Sequence, residues 1–253
     1  MPKGLKNPIT KGPSILKVNL KGNNEMKTAA FFDKFSREYD LQDRYRYLFY
    51  RWIIKNIIKQ IDKEDCDILD VGMGTGNLAV RLAMKYPRSR ILGVDVSNGM
   101  INEAKTKCRS MGITNICFRV GSIEELRTGK FDFVVSALAF HHIENKKRVI
   151  SNLYAKLAKG GKLVIGDWFE PDERYEQEIS KLRAERPRIA SKFDKSWQRA
   201  LEGMTKNYGE EHPKEYPVSQ TEMTSVLKDA GFGRQEILKS LLPNFAIVIG
   251  AKD

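Results

Sequence analysis

The middle of the chain alternates regularly between short apolar runs and amphipathic segments, and this alternation restricts the fold more than any other feature. Runs that are apolar throughout are typical of strands buried on both faces. The segments between them have the three- and four-residue spacing of helices. The five predicted strands are CDILDVG, RILGVDV, NICFRVG, FDFVVSAL and KLVIGDWF. The pattern predicts a doubly wound α/β fold with a mostly parallel sheet.

Two further strands are predicted near the end of the chain. The runs RQEILKSLL and FAIVIGAK are separated by a short turn around Pro243 and Asn244, which is typical of an antiparallel hairpin. Placed at the edge of the sheet, the hairpin brings the number of predicted strands to seven. The sequence therefore predicts a seven-stranded, Rossmann-like sheet that is mostly parallel and ends in an antiparallel C-terminal hairpin.

Three segments lie outside this frame. Residues 1–27 contain six lysines, one glutamate and no apolar period, which predicts a basic flexible arm. Apolar residues that recur at helical spacing then predict two N-terminal helices before the first strand. Residues 170–216 are charged and aromatic without a strand pattern, and we interpret them as a helical lid insertion. The folded domain is accordingly expected to comprise residues 28–253.

The composition excludes several classes of protein. No apolar run approaches the roughly 20 residues of a membrane-spanning helix, so no membrane span is expected. The first residues lack the apolar stretch of a secretory signal, and the three cysteines lack the paired spacing of a zinc or redox site. We therefore expect a cytoplasmic protein with no metal. The net charge of +12 suits RNA or an anionic small molecule, and equally suits a lysine-rich surface that merely keeps the protein in solution.

A glycine-rich turn between the first strand and the next helix predicts where a ligand binds. Gly72, Gly74 and Gly76 would let backbone N–H groups and the helix N-terminus approach the ligand closely. Asp95 ends the next strand, where a carboxylate can accept hydrogen bonds from both hydroxyls of a ribose. Asn77 occupies the place of the third glycine in the dinucleotide fingerprint, and the Gly-Lys-Ser/Thr of a Walker loop is absent. The turn and the acid together predict a cofactor that contains a nucleoside.

The segments around this turn resemble the motifs of a known enzyme family. DILDVGMGTGNLA and ILGVDVSNGMINEAK are similar to the first two motifs of the class I S-adenosylmethionine-dependent methyltransferases. VGSIEEL, FDFVVSALAFHHI and NLYAKLAKGGKLVIGDW are similar to the next three. Among the members, the chain most resembles the small methyltransferases of the ubiquinone/menaquinone type. The resemblance implies S-adenosyl-L-methionine as cofactor and methyl transfer to a small-molecule acceptor.

Two other functions are weighed beside this one. The C-terminal part also resembles enzymes that use carboxy-S-adenosylmethionine to modify wobble uridine in tRNA, and a basic arm would suit RNA. The carboxylate-binding residues of those enzymes have no clear counterpart beyond Arg199. The other alternative is a non-catalytic scaffold that retains the nucleoside pocket. The oligomeric state is left open, with a homodimer among the options.

The resemblance implies a set of cofactor-binding residues. Gly72 and Gly74 are expected to line the methionine part of the cofactor, and Asp70 to reach its amino group. Family members usually have an acid at the position of Ser122, so this contact to adenine is expected to be weaker here. The full set of expected cofactor-binding residues is Tyr39, Asp70, Gly72, Gly74, Asp95, Val96, Met100, Ser122, Ile123 and Ser136.

The acceptor side is predicted from the ends of the fourth and fifth strands. His141 and His142 follow the fourth strand and are candidate catalytic residues, because imidazole can take a proton near neutral pH. They equally suit packing beside the cofactor pocket. The residues expected to contact the acceptor are Trp168, Trp197, Arg199 and Tyr208. No metal is needed, since displacement at a sulfonium requires only an aligned electron pair.

Overall fold

The computed structural model describes residues 23–126, 129–170, 212–240 and 244–253, excluding the side chains of residues 23 and 41–49. Seven strands form one sheet with the order β3-β2-β1-β4-β5-β7-β6. The strands are β1 (Asp67–Val71), β2 (Arg90–Asp95), β3 (Ile116–Val120), β4 (Phe131–Ala137), β5 (Leu157–Trp168), β6 (Arg234–Lys239) and β7 (Phe245–Ala251). Strands β1 to β5 pair in parallel, and β7 is antiparallel to both of its neighbours. The predicted mostly parallel, Rossmann-like fold with its terminal hairpin is confirmed.

Helices cover both faces of the sheet. The described helices are α1 (Asn23–Lys59), α2 (Asn77–Lys85), α3 (Asn98–Ser110), α4 (Lys146–Lys156) and α5 (Gln220–Asp229). Because successive strand residues point to opposite faces, Phe133 and Val135 pack with α1, α2 and α3, whereas Val134 packs with α4 and α5. The uniformly apolar strands are explained by these two cores. No helix in the described part of the chain has the length and apolar character that crossing a membrane would require.

The N-terminal region differs from its prediction. One helix of 37 residues, α1, replaces the two predicted helices. Residues 28–59 contain neither glycine nor proline, so nothing in the local sequence ends the helix between the two apolar stretches. The helix also begins at Asn23, which makes residues 23–27 of the predicted flexible arm helical. Residues 1–22 of that arm lie outside the described residues, and their flexibility stays a prediction.

Two other boundaries differ from the sequence-based expectation. The predicted strand KLVIGDWF begins at Lys162, but β5 begins at Leu157, directly after α4 ends at Lys156. Leu157 pairs with Phe131, and Gly160 has a φ of +73°, which a helix does not accommodate. Of the predicted lid, residues 171–211 lie outside the described residues, while residues 212–216 are not helical.

Candidate cofactor and active site

A cavity of about 580 Å³ lies at the carboxyl edge of the parallel strands, where ligands of such folds bind. Its walls come from the loops after β1, β2, β3 and β4 and from one side of α1. The structure places nine of the predicted site residues in these walls: Tyr39, Gly72, Gly74, Asp95, Val96, Met100, Ser122, Ile123 and His142. The cavity therefore unites the predicted cofactor residues with one of the two candidate catalytic histidines.

The glycine loop and Asp95 hold each other in place. The Asp95 carboxylate accepts hydrogen bonds from the backbone N–H of Gly74 at 2.8 Å and of Ser97 at 2.9 Å. The backbone of the loop is anchored further by the N–H of Gly72, which donates to the Val94 carbonyl at 2.9 Å. The glycine loop and Asp95, which the sequence analysis identified separately, are thus joined by hydrogen bonds that fix the position of the Asp95 carboxylate.

Gly72 is required by both conformation and space. Its φ is +66°, in the left-handed region that side chains disfavour, and a Cβ there would lie 2.3 Å from the Cβ of Ala139. Gly74 has a similar φ of +54°, but a Cβ would meet nothing within 4 Å. The backbone at Gly72 is therefore in close contact with the loop after β4.

These two glycines provide a matched pair of variants. We expect Gly74→Ala to lower the free energy of unfolding by about 1 to 2 kcal/mol, the cost of a left-handed alanine. Gly72→Ala should lose that amount and a further ~1 to 3 kcal/mol from overpacking against Ala139. Chemical denaturation of both variants measures the difference. Equal destabilisation would contradict the close packing of Gly72.

Two buried carboxyl groups give the site unusual electrostatics. Burial raises the pKa of Asp95 to about 6, although the N–H groups of Ser97 and Gly74 oppose this shift. Burial, together with the nearby charge of Asp95, raises the pKa of Asp70 to about 8. Asp70 is 1% exposed, and its Oδ2 has no hydrogen-bond partner among the described residues. This end of β1 is therefore an acidic, desolvated environment that favours a positively charged group.

Helix α1 supplies a carboxylate that the sequence had not indicated. The Ser122 hydroxyl donates to Glu25 Oε1 at 2.6 Å and accepts from the backbone N–H of Glu124 at 3.2 Å. Ser122 and Glu25 both line the cavity. The hydroxyl hydrogen of Ser122 is thus used within the protein, and the acidic group at this point comes from α1. The sequence could not reveal Glu25, because the two residues are 97 positions apart.

Two aspartates of α1 bind residues on the far side of the cavity and hold the helix in place. Asp33 Oδ1 accepts from the Ser97 hydroxyl at 2.6 Å and from the backbone N–H of Gly99 at 2.7 Å. Asp40 accepts from the Thr75 hydroxyl at 2.6 Å and forms an ion pair with Lys107 at 2.7 Å. Tyr39, one of the expected cofactor-binding residues, lies between them on α1 and lines the cavity. The contacts hold α1 over the loops after β1 and β2.

Some predicted site residues are not in the cavity walls. Ser136 is buried, and its hydroxyl donates to the Val71 carbonyl at 2.8 Å, so this side chain joins β4 to β1. His141 and Trp168 lie behind the wall, with their ring centroids 5.8 Å apart. Asp70 likewise lies beneath the lining residues. Trp197, Arg199 and Tyr208 lie outside the described residues, and their acceptor contacts stay predictions.

The two histidines after β4 have different environments. His142 lines the cavity and stacks edge-on against Phe32, with ring centroids 5.3 Å apart. His141 is buried, and its Nδ1 lies 2.7 Å from Oδ1 of Asp167 at the end of β5. The Asp167 carboxylate also accepts from the backbone N–H of His141 at 3.1 Å. His142 is therefore the one that can reach a ligand, and His141 is fixed behind it.

Comparison with known proteins identifies the family. A family model described as a methyltransferase domain matches residues 62–231, which is more than half of the chain. The chain belongs to this methyltransferase family. Together with the observed fold, the match confirms a class I, S-adenosylmethionine-dependent methyltransferase.

Individual relatives are similar over shorter stretches. The methyltransferase is 30% identical over 135 residues to malonyl-[acyl-carrier protein] O-methyltransferase of Priestia megaterium, a match that covers 53% of this chain and 48% of that protein. It is 30% identical over 146 residues to the ubiquinone/menaquinone biosynthesis C-methyltransferase of Wigglesworthia glossinidia brevipalpis, covering 55% and 58%. The chain thus spans about half the length of these curated relatives.

Solved structures share the fold of this methyltransferase. Magnesium protoporphyrin IX methyltransferase from Synechocystis PCC 6803, solved with bound S-adenosylmethionine, superposes with a TM-score of 0.63 at 16% identity. The match covers 93% of this chain and all of that one. At this level of identity the likeness concerns the fold.

S-adenosylmethionine is the cofactor of the methyltransferase, and its residues fit that ligand. The bare backbone at Gly74 leaves open space that a side chain would fill, since a Cβ there would meet nothing within 4 Å. Asp70 Oδ2 is a buried acceptor without a described partner, which suits the ammonium of a methionine moiety. Asp95 keeps lone pairs for ribose hydroxyls beyond the two that the backbone uses. We propose that Gly72, Gly74 and Asp95, which line the cavity, hold the cofactor, with the buried Asp70 beneath them.

Proposed function

We propose that this methyltransferase methylates a small-molecule acceptor inside the described cavity. One observation carries the proposal: the cavity that contains the glycine loop and Asp95 also contains His142. A volume of about 580 Å³ is in the range of pockets that enclose small ligands. Cofactor and acceptor would consequently lie in one enclosure, as direct transfer between them requires.

The protein residues have separate tasks in the proposed reaction. When bound, S-adenosylmethionine supplies a methyl group on a positively charged sulfur, whose bond to carbon breaks as the acceptor forms the new bond. The glycine loop and Asp95 hold the donor, and α1 excludes water by covering the loops after β1 and β2. His142 orients the acceptor or takes its proton, while Asp167 and His141 position the wall behind it.

The lining of the cavity supports an acceptor with apolar surface. Phe32, Tyr39 and Tyr50 present aromatic side chains to it, and Leu138 adds an aliphatic one. Polar side chains also line the cavity, among them those of Thr28, His142, Asn145 and Arg148. Such a wall binds a ligand by burial and orients it with a small number of hydrogen bonds.

The function is tested by following the methyl group. The purified full chain is incubated with methyl-labelled S-adenosylmethionine and, in parallel, with a metabolite extract and with total RNA. We expect label in a small-molecule product and none in RNA. Label in RNA alone would contradict the proposal and indicate a nucleic-acid acceptor. Label in neither pool, from a protein that binds the cofactor, would favour the non-catalytic scaffold. The Asp95→Ala variant serves as the background control.

A further inference from the structure

All three histidines of the chain meet at one place behind the cavity wall. His141 and His142 follow β4, and their ring centroids lie 4.1 Å apart. His212 lies after the undescribed part of the lid, with its ring centroid 5.9 Å from that of His142. Glu215 completes the group, since its Oε1 lies 3.9 Å from His141 Nε2 and 3.6 Å from His212 Nδ1. The two segments are far apart in sequence, so no local spacing could have predicted the cluster.

Asp167 orients the His141 ring so that its other nitrogen can bind a metal ion. Its Oδ1 lies 2.7 Å from His141 Nδ1, and its carboxylate accepts in addition from the backbone N–H of His141 and of Trp168. A carboxylate can only accept, so Nδ1 carries the hydrogen, and in the neutral imidazole Nε2 keeps its lone pair. That lone pair is on the side of Glu215. A carboxylate behind a histidine in this way is the usual second layer of a metal site.

The distances fit a metal ion better than direct hydrogen bonds. The separation of 3.9 Å between His141 Nε2 and Glu215 Oε1 is too long for a hydrogen bond. A tetrahedral ion with ligands at ~2.1 Å keeps its ligand atoms roughly 3.4 Å apart. One ligand atom each from His141, His142 and Glu215 lie within 4.8 Å of one another, so small side-chain shifts would bring them to that spacing.

We propose that His141, His142 and Glu215 bind a divalent transition-metal ion. Two imidazoles and one carboxylate are a ligand set that zinc accepts, and three protein ligands leave a fourth position open. Because His142 also lines the cavity, the ion would be at the edge of the reaction chamber. The sequence predicted no metal, since displacement at the sulfonium needs none. While it binds the ion, His142 can orient the acceptor but cannot take its proton, because the metal uses its lone pair.

The segment that contains Glu215 is held beside His141 by hydrogen bonds to main-chain carbonyls. The backbone N–H of Tyr216 donates to the His141 carbonyl at 2.6 Å. The Lys146 ammonium donates to the carbonyls of Ile143 and Tyr216. The ammonium of Lys146 partly offsets the charge of Asp167, and burial lowers the pKa of Lys146. The carboxylates of Asp167 and Glu215 beside this one ammonium leave negative charge that favours a cation.

The site is tested by metal binding alone. Full-length protein without a histidine tag is stripped with chelator and titrated with Zn²⁺ by calorimetry and with Co²⁺ by its visible absorption. We expect about one equivalent of metal and absorption bands of a tetrahedral site. Glu215→Gln and His142→Gln should each weaken Zn²⁺ binding by about tenfold or more. No S-adenosylmethionine or acceptor is present, so the result is independent of methyl transfer.

A neighbouring carboxylate provides the matched control. Glu170 is exposed, pairs with Ser219 at the same end of the sheet and is not part of the cluster. Glu170→Gln should leave Zn²⁺ affinity unchanged. The proposal is overturned if the wild-type protein shows no saturable binding, or if Glu215→Gln binds Zn²⁺ as tightly as Glu170→Gln does. Glu215 is partly exposed, so its variant should remain folded even if His142→Gln does not.

Discussion

Replacing Asp95 with alanine should weaken the binding of S-adenosylmethionine by about 10- to 150-fold, or ~1.5 to 3 kcal/mol, the worth of hydrogen bonds to a charged group. The carboxylate has two functions in the structure. It holds the N–H groups of Gly74 and Ser97, and it lines the cavity with acceptors left for a ribose. Its removal therefore disturbs the glycine loop as well as deleting a ligand contact, which places the expected loss toward the upper end of the range.

Calorimetric titration with S-adenosylmethionine and with its demethylated product measures this loss. Asp95→Asn retains one acceptor oxygen and should lie between the wild type and Asp95→Ala. Asp67→Ala is the control, because Asp67 begins β1 at the opposite edge of the sheet and pairs with Arg90 at 2.5 Å. We expect Asp67→Ala to bind the cofactor normally. An unaltered dissociation constant for a folded Asp95→Ala protein would remove Asp95 from the site.

The features that the sequence predicted well are those that a short stretch of residues determines by itself. The strands are apolar throughout because both faces of the sheet are covered, and Phe133 and Val134 demonstrate this by packing in opposite cores. Gly72 is needed where the backbone has a positive φ and approaches Ala139, so a short motif marks it. Asp95 ends a strand beside that motif. Fold, cofactor and the centre of the site follow from such local features.

Features that depend on distant packing could not be predicted. Glu25 reaches Ser122, and Asp33 reaches Ser97, only because α1 continues without a break and crosses the loops. Ser136 was expected to bind the cofactor, but its hydroxyl is directed from β4 to the Val71 carbonyl, a contact that only the strand register determines. Glu215 meets His141 through the return of the chain after the lid. The periodicity of a sequence predicts whether a segment is a helix or a strand. It does not predict which other helix or strand that segment will contact.

Asp70 should make cofactor binding depend on pH. Its pKa of about 8 means that the carboxyl group is mostly protonated at pH 7 in the unliganded protein. We propose that the ammonium of S-adenosylmethionine binds beside it, which would lower that pKa and expel the proton. Binding at pH 7 should then release up to about one proton, and affinity should rise by up to about tenfold per pH unit until pH approaches 8. Calorimetry in buffers of different ionisation enthalpy counts the released protons.

The Asp70→Asn variant separates this effect from other titrations. It should bind S-adenosylmethionine more weakly at pH 8, release fewer protons and show a flatter pH profile. Titration of the ligand's own amino group is common to both proteins and cancels in the comparison. Proton release that is equal in the two proteins would exclude Asp70 as its source.

The same carboxyl group should govern the stability of the unliganded protein. Its pKa in the folded state, about 8, lies above its ordinary value of 3.8, so the folded state holds the proton more tightly than the unfolded state. The resulting stabilisation is complete below pH 3.8 and is lost as the pH rises through about 8. Asp70→Asn lacks this dependence. Relative to the variant, the wild type should lose about 1.4 kcal/mol of unfolding free energy per pH unit between pH 5 and 7. Urea denaturation at several pH values measures this difference, and parallel curves for the two proteins would show that Asp70 is ionised in the folded state without cost.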